Sequence, residues 1–219
     1  MLFIPLGVSF VVMFASREEA GRKLGNFLKE AGVQADVVVG LPRGGVVVAS
    51  EVAHTLGLPL GVLVVRKIGH PLQREFAVGA LAEEGVVLID ERVVGRNPLI
   101  WIELNQVIAE EQERMRAYQS AFHLEGTPGL AQRVVLLVDD GLATGATTEA
   151  AVLAAKKKQA RKVIVAAPVA STNAMERLSR VADDVRALIV DADFDAVGRY
   201  YDVFLQTTDQ QVVELLRAA

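Results

Sequence analysis

Residues 134–155 read VVLLVDDGLATGATTEAAVLAA. Val134 to Val138 form an unbroken apolar run, the pattern of a strand buried on both faces. Asp139 and Asp140 follow at its carboxyl end, and Thr144, Gly145, Ala146, Thr147 and Thr148 lead into an alanine-rich helix. In an open α/β sheet a ligand binds outside such carboxyl ends. A turn of this kind aims several backbone N–H groups at one point, and the helix N-terminus adds partial positive charge. The segment therefore predicts a phosphate cradle, with the hydroxyls of Thr144, Thr147 and Thr148 as further donors. Two carboxylates beside an anion site repel it unless they face something else. Ribose hydroxyls suit them, because an ionised carboxylate is an acceptor able to hold a vicinal diol. Within the motif itself the pair has no cation to lean on in the empty protein. Competing phosphate-binding patterns fail on residues: no Gly-Lys-Thr/Ser Walker sequence occurs, and G-x-G-x-x-G is missing from the strand–helix turns.

Outward from this segment, valine-rich runs recur at Val37 to Leu41, Leu60 to Val65, Val86 to Ile89, Val163 to Ala167 and Val185 to Val190. Between them, Ala20, Leu24, Phe27, Leu28 and Ala31 share one helical face, as do Val46, Ala49, Ala53 and Leu56. The alternation predicts an α/β fold with a doubly wound, mostly parallel sheet flanked by helices. The longest gap, between Ile89 and Val134, holds Trp101, Leu104, Ile108, Met115, Tyr118 and Phe122 at helical spacing, after Asn97 as N-cap and Pro98 in the first turn. It predicts one long inserted helix over residues 97–122, packed across the sheet or against a second subunit. Residues 68–84, IGHPLQREFAVGALAEE, lack clear periodicity and read as a long loop of the kind that closes over a site. No linker or repeat divides the chain, so residues 1–219 are expected to form a single domain, with residues 191–219 as a small C-terminal hood or tail.

The 219 residues carry 23 basic and 27 acidic side chains, for a formal net charge of -4, which argues against broad nucleic-acid binding. An apolar fraction of 52% excludes a disordered chain. Cysteine is absent, so there is no disulfide framework, thiolate metal site or cysteine nucleophile, and the three separated histidines have no zinc-ligand spacing. Residues 1–14, MLFIPLGVSFVVMF, are apolar but too short for a transmembrane helix and lack the basic flank of a signal peptide. They are expected to be a buried strand, or an extension over residues 1–13 upstream of a start at Met13. Neither a membrane nor a nucleic-acid partner is expected, and the location is expected to be cytoplasmic.

Val134 to Thr148 resembles the phosphoribosyl pyrophosphate (PRPP) signature of the type I phosphoribosyltransferases. The resemblance extends from about Phe14 to the C-terminus, toward a bacterial and archaeal branch known as predicted phosphoribosyltransferases. The matching stretches are REEAGRKL, VVGLPRGGVVVA, VVRKIGHPLQREFAVGA, VIVAAPVAS and DFDAVGRYYDVF. It implies that Asp139 and Asp140, the candidate catalytic residues, hold the ribose hydroxyls and that Ala143 to Thr148 hold the 5′-phosphate. It places pyrophosphate at Arg43, Gly44 and Gly45, where glycines admit an anion closely and Arg43 supplies a planar fork. Arg66 and Lys67 end another strand and are expected to aim two cations at the same edge.

The implied reaction moves the 5-phosphoribosyl group of PRPP to a small nitrogen acceptor, a nucleobase being expected, through an oxocarbenium-like transition state, as in nucleotide salvage. Mg2+ is the implied cofactor, held directly or through water by Asp139 and Asp140, and a homodimer is the expected assembly. Hypoxanthine-guanine enzymes carry an aspartate just before Thr-Gly, whereas this sequence has Ala143, as in adenine- and uracil-type loops. The acceptor pocket is expected at Phe194, Tyr200, Tyr201 and Phe204, whose rings have plain core packing as the equal alternative. The other functional class compatible with the sequence is a non-catalytic PRPP- or nucleotide-sensing protein on the same fold. Retention of Arg43 and Arg66-Lys67 favours turnover.

Overall fold

Valine-rich runs become strands here because both faces of each strand have something apolar to meet. The computed structural model describes residues 13–219, so the expectations for residues 1–14 fall, but for the last two, outside the described residues. In chain order the elements are α1 (Arg17–Glu30), β1 (Val37–Gly40), α2 (Gly44–Leu56), β2 (Leu60–Val62), β3 (Val65–His70), β4 (Gln73–Ala82), β5 (Val86–Ile89), α3 (Glu91–Val94) and α4 (Pro98–Phe122). They continue with β6 (Val134–Val138), α5 (Ala146–Lys157), β7 (Lys162–Ser171), α6 (Thr172–Leu178), β8 (Asp184–Asp191), a 3-10 turn (Val197–Tyr200) and α7 (Asp209–Ala218).

Five strands form a parallel sheet in the order β2-β1-β6-β7-β8. Successive side chains point to opposite faces. Val37, Val39, Val135, Leu137, Val163 and Val165 therefore meet α5 and α6 on one side. Val38, Leu136, Val138, Ile164 and Ala166 meet α1 and α2 on the other. Each fully buried valine or leucine contributes about 1.5–3 kcal/mol relative to exposure. The chain winds outward in both directions from the adjacent pair β1 and β6, through α2 to β2 and through α5 to β7. The doubly wound reading holds, and β1 and β6 end side by side, with Gly40 opposite Val138.

Two expectations need correction. Val86 to Ile89 does not join the parallel sheet: it pairs antiparallel with β4 in a separate three-stranded sheet, β3-β4-β5. Nor is residues 68–84 a structureless loop. Most of it is the β3–β4 hairpin, turned at Pro71 and Leu72, with Gly69 opposite Ala77 and His70 opposite Gln73 across register shifts. Polar residues Gln73 to Glu75 and Phe76 stand exposed on its outer half, and the inner half, Val78 to Ala82, is mostly buried. Only that inner half has a core to pattern it, which is why no period shows along the whole segment.

The long helix forms where expected. The Asn97 side chain accepts from the N–H of Leu99 at 3.0 Å and Pro98 occupies the first turn. Its buried residues Leu104, Val107, Met115 and Phe122 pack with Ile68, Val78 and Leu81 of the antiparallel sheet and with Val212 of α7. It thus covers the hairpin rather than crossing the main sheet.

Candidate active site

Three segments meet at the carboxyl ends of β1 and β6. The loop after β6 is fixed by its neighbour: the Leu142 N–H donates to Val169 O and the Ser171 N–H to Leu142 O, both at 2.9 Å. The Ser171 hydroxyl donates to Ala143 O at 2.5 Å while accepting from the Ala174 N–H at 2.9 Å. Strand β7 thereby shapes the loop before α5 begins. Gly145 caps α5 with φ 72°, a left-handed conformation that favours glycine, and offers no side chain to the helix. The nearest hydroxyl, Thr144 Oγ1, accepts from the Ala146 N–H at 3.4 Å. Among the described residues the other first-turn N–H groups of α5 have no side-chain partner.

The second segment is the turn from β1 into α2. Arg43 caps α2 without a side-chain hydrogen bond, so this helix end is uncapped as well. The Pro42–Arg43 peptide is cis. A Cβ on Gly44 would lie 2.1 Å from Asp140 Oδ2, and one on Gly45 would lie 2.8 Å from Asp139 Oδ1. The two glycines therefore let the α2 N-terminus approach the carboxylate pair, where its partial positive charge is favourable. Among the described residues Arg43 itself reaches one distant ion-pair partner, Asp209 Oδ1 at 3.5 Å.

The third segment lies outside the motif. Arg17 Nε donates to Asp140 Oδ2 at 2.7 Å, and Arg17 Nη1 donates to Leu205 O at 2.7 Å. Its guanidinium carbon lies 3.8 Å from the centre of the Phe204 ring. The carboxylate pair thus has a cationic partner in the ligand-free protein, supplied from outside the motif. Tyr201 adds to the same support, its hydroxyl donating to Asp140 O at 2.6 Å.

Electrostatically the pair is under load. Burial, then the neighbouring Asp140 charge, push the Asp139 carboxyl up to about 8. Burial also raises Asp140, while Arg17 pulls it back. The Tyr201 hydroxyl is pushed up by burial and by the Asp140 charge, so it stays a donor.

These segments border one cleft of about 1020 Å³. Asp139, Asp140, Ala143, Thr144, Gly145, Ala146, Thr147 and Thr148 line it together with Arg43, Gly44 and Lys67, and Gly45 sits directly beneath Asp139. Arg17, Arg177, Val197 and Phe204 line it too, as does the start of α3 at Glu91 and Arg92. Arg66 does not. Strand alternation sends Lys67 to the cleft and turns Arg66 under α4, where it ion-pairs with Glu111 and lies 5.2 Å from the Tyr118 ring centre. The expected aromatic wall also divides. Tyr200 and Tyr201 are buried with Phe14 and Val169, and Phe194 stacks on Tyr200, so of the four rings only Phe204 lines the cleft.

Among the described residues no group of three or more acidic or histidine side chains is disposed to hold a metal ion. Asp139 and Asp140 alone fit an open cation site, one completed by oxygens of a ligand and water. No helix among the described residues is long and apolar enough to cross a membrane.

Comparison with known proteins agrees with this geometry. A family profile described as "Phosphoribosyl transferase domain" matches residues 15–203. Two curated relatives from Mycobacterium tuberculosis, each named "Putative phosphoribosyl transferase", are 42% identical over 214 residues, covering 94% of this chain. The chain spans about half, 47%, of the length of each. The crystal structure of TT1426 from Thermus thermophilus is 42% identical, with a TM-score of 0.73 over 93% of this chain and 97% of that one. A profile spanning most of the chain and relatives this similar, on a sheet whose central strand ends in Asp139-Asp140, place the chain in the phosphoribosyltransferase family.

Proposed function

We propose that the protein transfers the 5-phosphoribosyl group of PRPP to a small nitrogen acceptor, a nucleobase, with release of pyrophosphate, as in nucleotide salvage. The observation that carries this reading is the meeting of two uncapped helix N-termini in one cleft, α5 behind Thr144–Thr148 and α2 behind Arg43–Gly45, with the carboxylate pair between them. That arrangement suits a ligand anionic at both ends and hydroxylated in the middle. The α5 cradle takes the 5′-phosphate, Asp139 and Asp140 take the ribose hydroxyls, and Arg43, Gly44, Gly45 and Lys67 take the diphosphate.

In the reaction the bond from the anomeric carbon to the diphosphate oxygen breaks as the acceptor nitrogen bonds to that carbon, and the electron pair leaves with pyrophosphate. Charge grows positive on the ribose ring and negative on the diphosphate. Asp139 and Asp140 face the first, and Arg43, Lys67 and the α2 N-terminus face the second, so the protein acts by positioning and charge compensation. Mg2+ held by Asp139 and Asp140 would neutralise the leaving diphosphate. The β3–β4 hairpin, whose Ala77 to Ala80 border the cleft, limits access of water to the ribosyl centre.

The test is a PRPP-consumption screen against purines, pyrimidines and other nitrogen acceptors. Acceptor-dependent pyrophosphate release supports the proposal. Tight PRPP binding without release across the panel would overturn turnover and make the protein a sensor of PRPP.

A further inference from the structure

Arg17 has no part in the phosphate or diphosphate subsites, yet it is among the most constrained side chains of the cleft. It is 11% exposed, and the Asp140 side chain it grips is 16% exposed. One donor goes to Asp140 Oδ2, another to Leu205 O, and the guanidinium carbon lies over the Phe204 ring. These three contacts join the carboxyl end of β6 to the extended segment after the 3-10 turn, 123 residues from Arg17 in one case and 188 in the other. A carboxylate on a strand-end loop has two free side-chain torsions, and only a bond at one oxygen fixes the direction of the other. Gly44 makes the grip possible, since a Cβ there would meet Asp140 Oδ2 at 2.1 Å and Arg17 Nε at 2.7 Å. A plain surface ion pair would need no such clearance and no aromatic support.

We infer that Arg17 is a positioning residue: by holding Asp140 Oδ2 it sets the other carboxylate oxygen for the ribose hydroxyls, and by holding Phe204 and Leu205 it builds the acceptor-side wall onto the same carboxylate. The inference rests on the ribose role proposed for Asp140. It assigns a planar, forked cation to this place, because an ammonium lacks the geometry to bond two oxygens and stack at once.

The experiment is calorimetric binding of two probes, inorganic phosphate and ribose 5-phosphate, to the wild type, Arg17→Ala, Arg17→Lys, Asp140→Asn and the Arg17→Ala/Asp140→Asn double variant. Arg17→Ala is expected to weaken ribose 5-phosphate about tenfold, the scale of one charge-assisted hydrogen bond, and to leave phosphate within about twofold. Arg17→Lys should recover less than half of the loss on a logarithmic scale. In the double variant the loss should not exceed that of Asp140→Asn alone by more than about twofold, because one residue acts through the other. Additive losses, or equal losses for phosphate and ribose 5-phosphate, would overturn the inference and leave Arg17 a structural tie. Phe204→Leu provides a second variant free of any charge change: it should lower ribose 5-phosphate affinity while phosphate binding holds, and no change would overturn the link to the wall. If the wild type binds phosphate but gains nothing from the ribose, the ribose role of Asp140 falls, and the inference falls with it. A ribose gain that survives in Arg17→Ala would overturn the inference alone.

Discussion

Asp139 and Asp140 are neighbours in sequence but differ in circumstance. Asp140 has Arg17 at 2.7 Å. Asp139 has burial and its neighbour's charge, and its carboxyl is pushed up to about 8 from an ordinary 3.8. A raised acid binds its proton more tightly in the folded chain. Its contribution to stability is therefore fully present below about pH 4 and is withdrawn as pH rises through about 8. Denaturant titrations of the ligand-free protein across that window should show stability falling with pH, and Asp139→Asn should flatten the fall. An unchanged slope in the variant would remove Asp139 as its source. Asp140→Ala acts oppositely, because it leaves a largely buried guanidinium without its partner, and it should destabilise the fold by about 2 kcal/mol in the same titrations. The acidic pair and the cradle were legible in the sequence because the motif is contiguous. Arg17 was not, since nothing local to REEAGRKL distinguishes a cleft cation from the first residue of an amphipathic helix.

At the scale of elements, the β3–β4 hairpin shows what alternation does to a pair of basic residues. Arg66 and Lys67 look equivalent in sequence, but one lies under α4 against Glu111 and Tyr118 and the other lines the cleft. Lys67→Ala should weaken pyrophosphate binding severalfold with little change in melting temperature. Arg66→Ala should do the reverse, since it leaves the buried Glu111 with Arg114 as its remaining ion-pair partner. Interchanged outcomes in calorimetry and thermal melts would contradict the strand register. The hairpin's far end is secured by Glu83, fully buried, which meets His123 Nε2 at 2.7 Å, the Val64 N–H at 2.8 Å and Lys158 Nζ at 3.1 Å. Burial opposes its ionisation, but His123, the Val64 N–H and Lys158 together hold its carboxyl below the ordinary value. Its stabilisation is therefore present above the unfolded value of 4.5 and lost as pH falls below it. Glu83→Gln should cost about 3 kcal/mol at neutral pH and shrink the acid-side loss of stability. The sequence carried no sign of this node. Glu83 stands beside Glu84 in a stretch without period, and its partners come from the ends of α4 and α5.

Across the whole molecule, the two-sided valine strands and the faces of α1 and α2 were legible because each buries a continuous apolar set in one sheet. The second sheet was not, because Val86 to Ile89 is a short apolar run like the others, and only pairing with a half-exposed hairpin separates it from the parallel sheet. The four rings expected at an acceptor pocket divide for a related reason: Tyr200 ends the 3-10 turn and Tyr201 follows it, both buried in the core, while Phe204 emerges beside Arg17. What the fold achieves as a unit is to bring the N-termini of α2 and α5 to one cleft from opposite faces of the sheet. In the proposed function these N-termini are the two ends of one PRPP site, and Arg43 is where that can be tested. Among the described residues its one ion pair is a 3.5 Å contact to Asp209, with the Arg43 side chain 34% exposed, so its removal leaves the fold intact. Calorimetric titration of Arg43→Ala with pyrophosphate, PRPP and ribose 5-phosphate is the measurement. Pyrophosphate and PRPP should weaken about tenfold or more while ribose 5-phosphate stays within about twofold. Equal losses for all three ligands would contradict it.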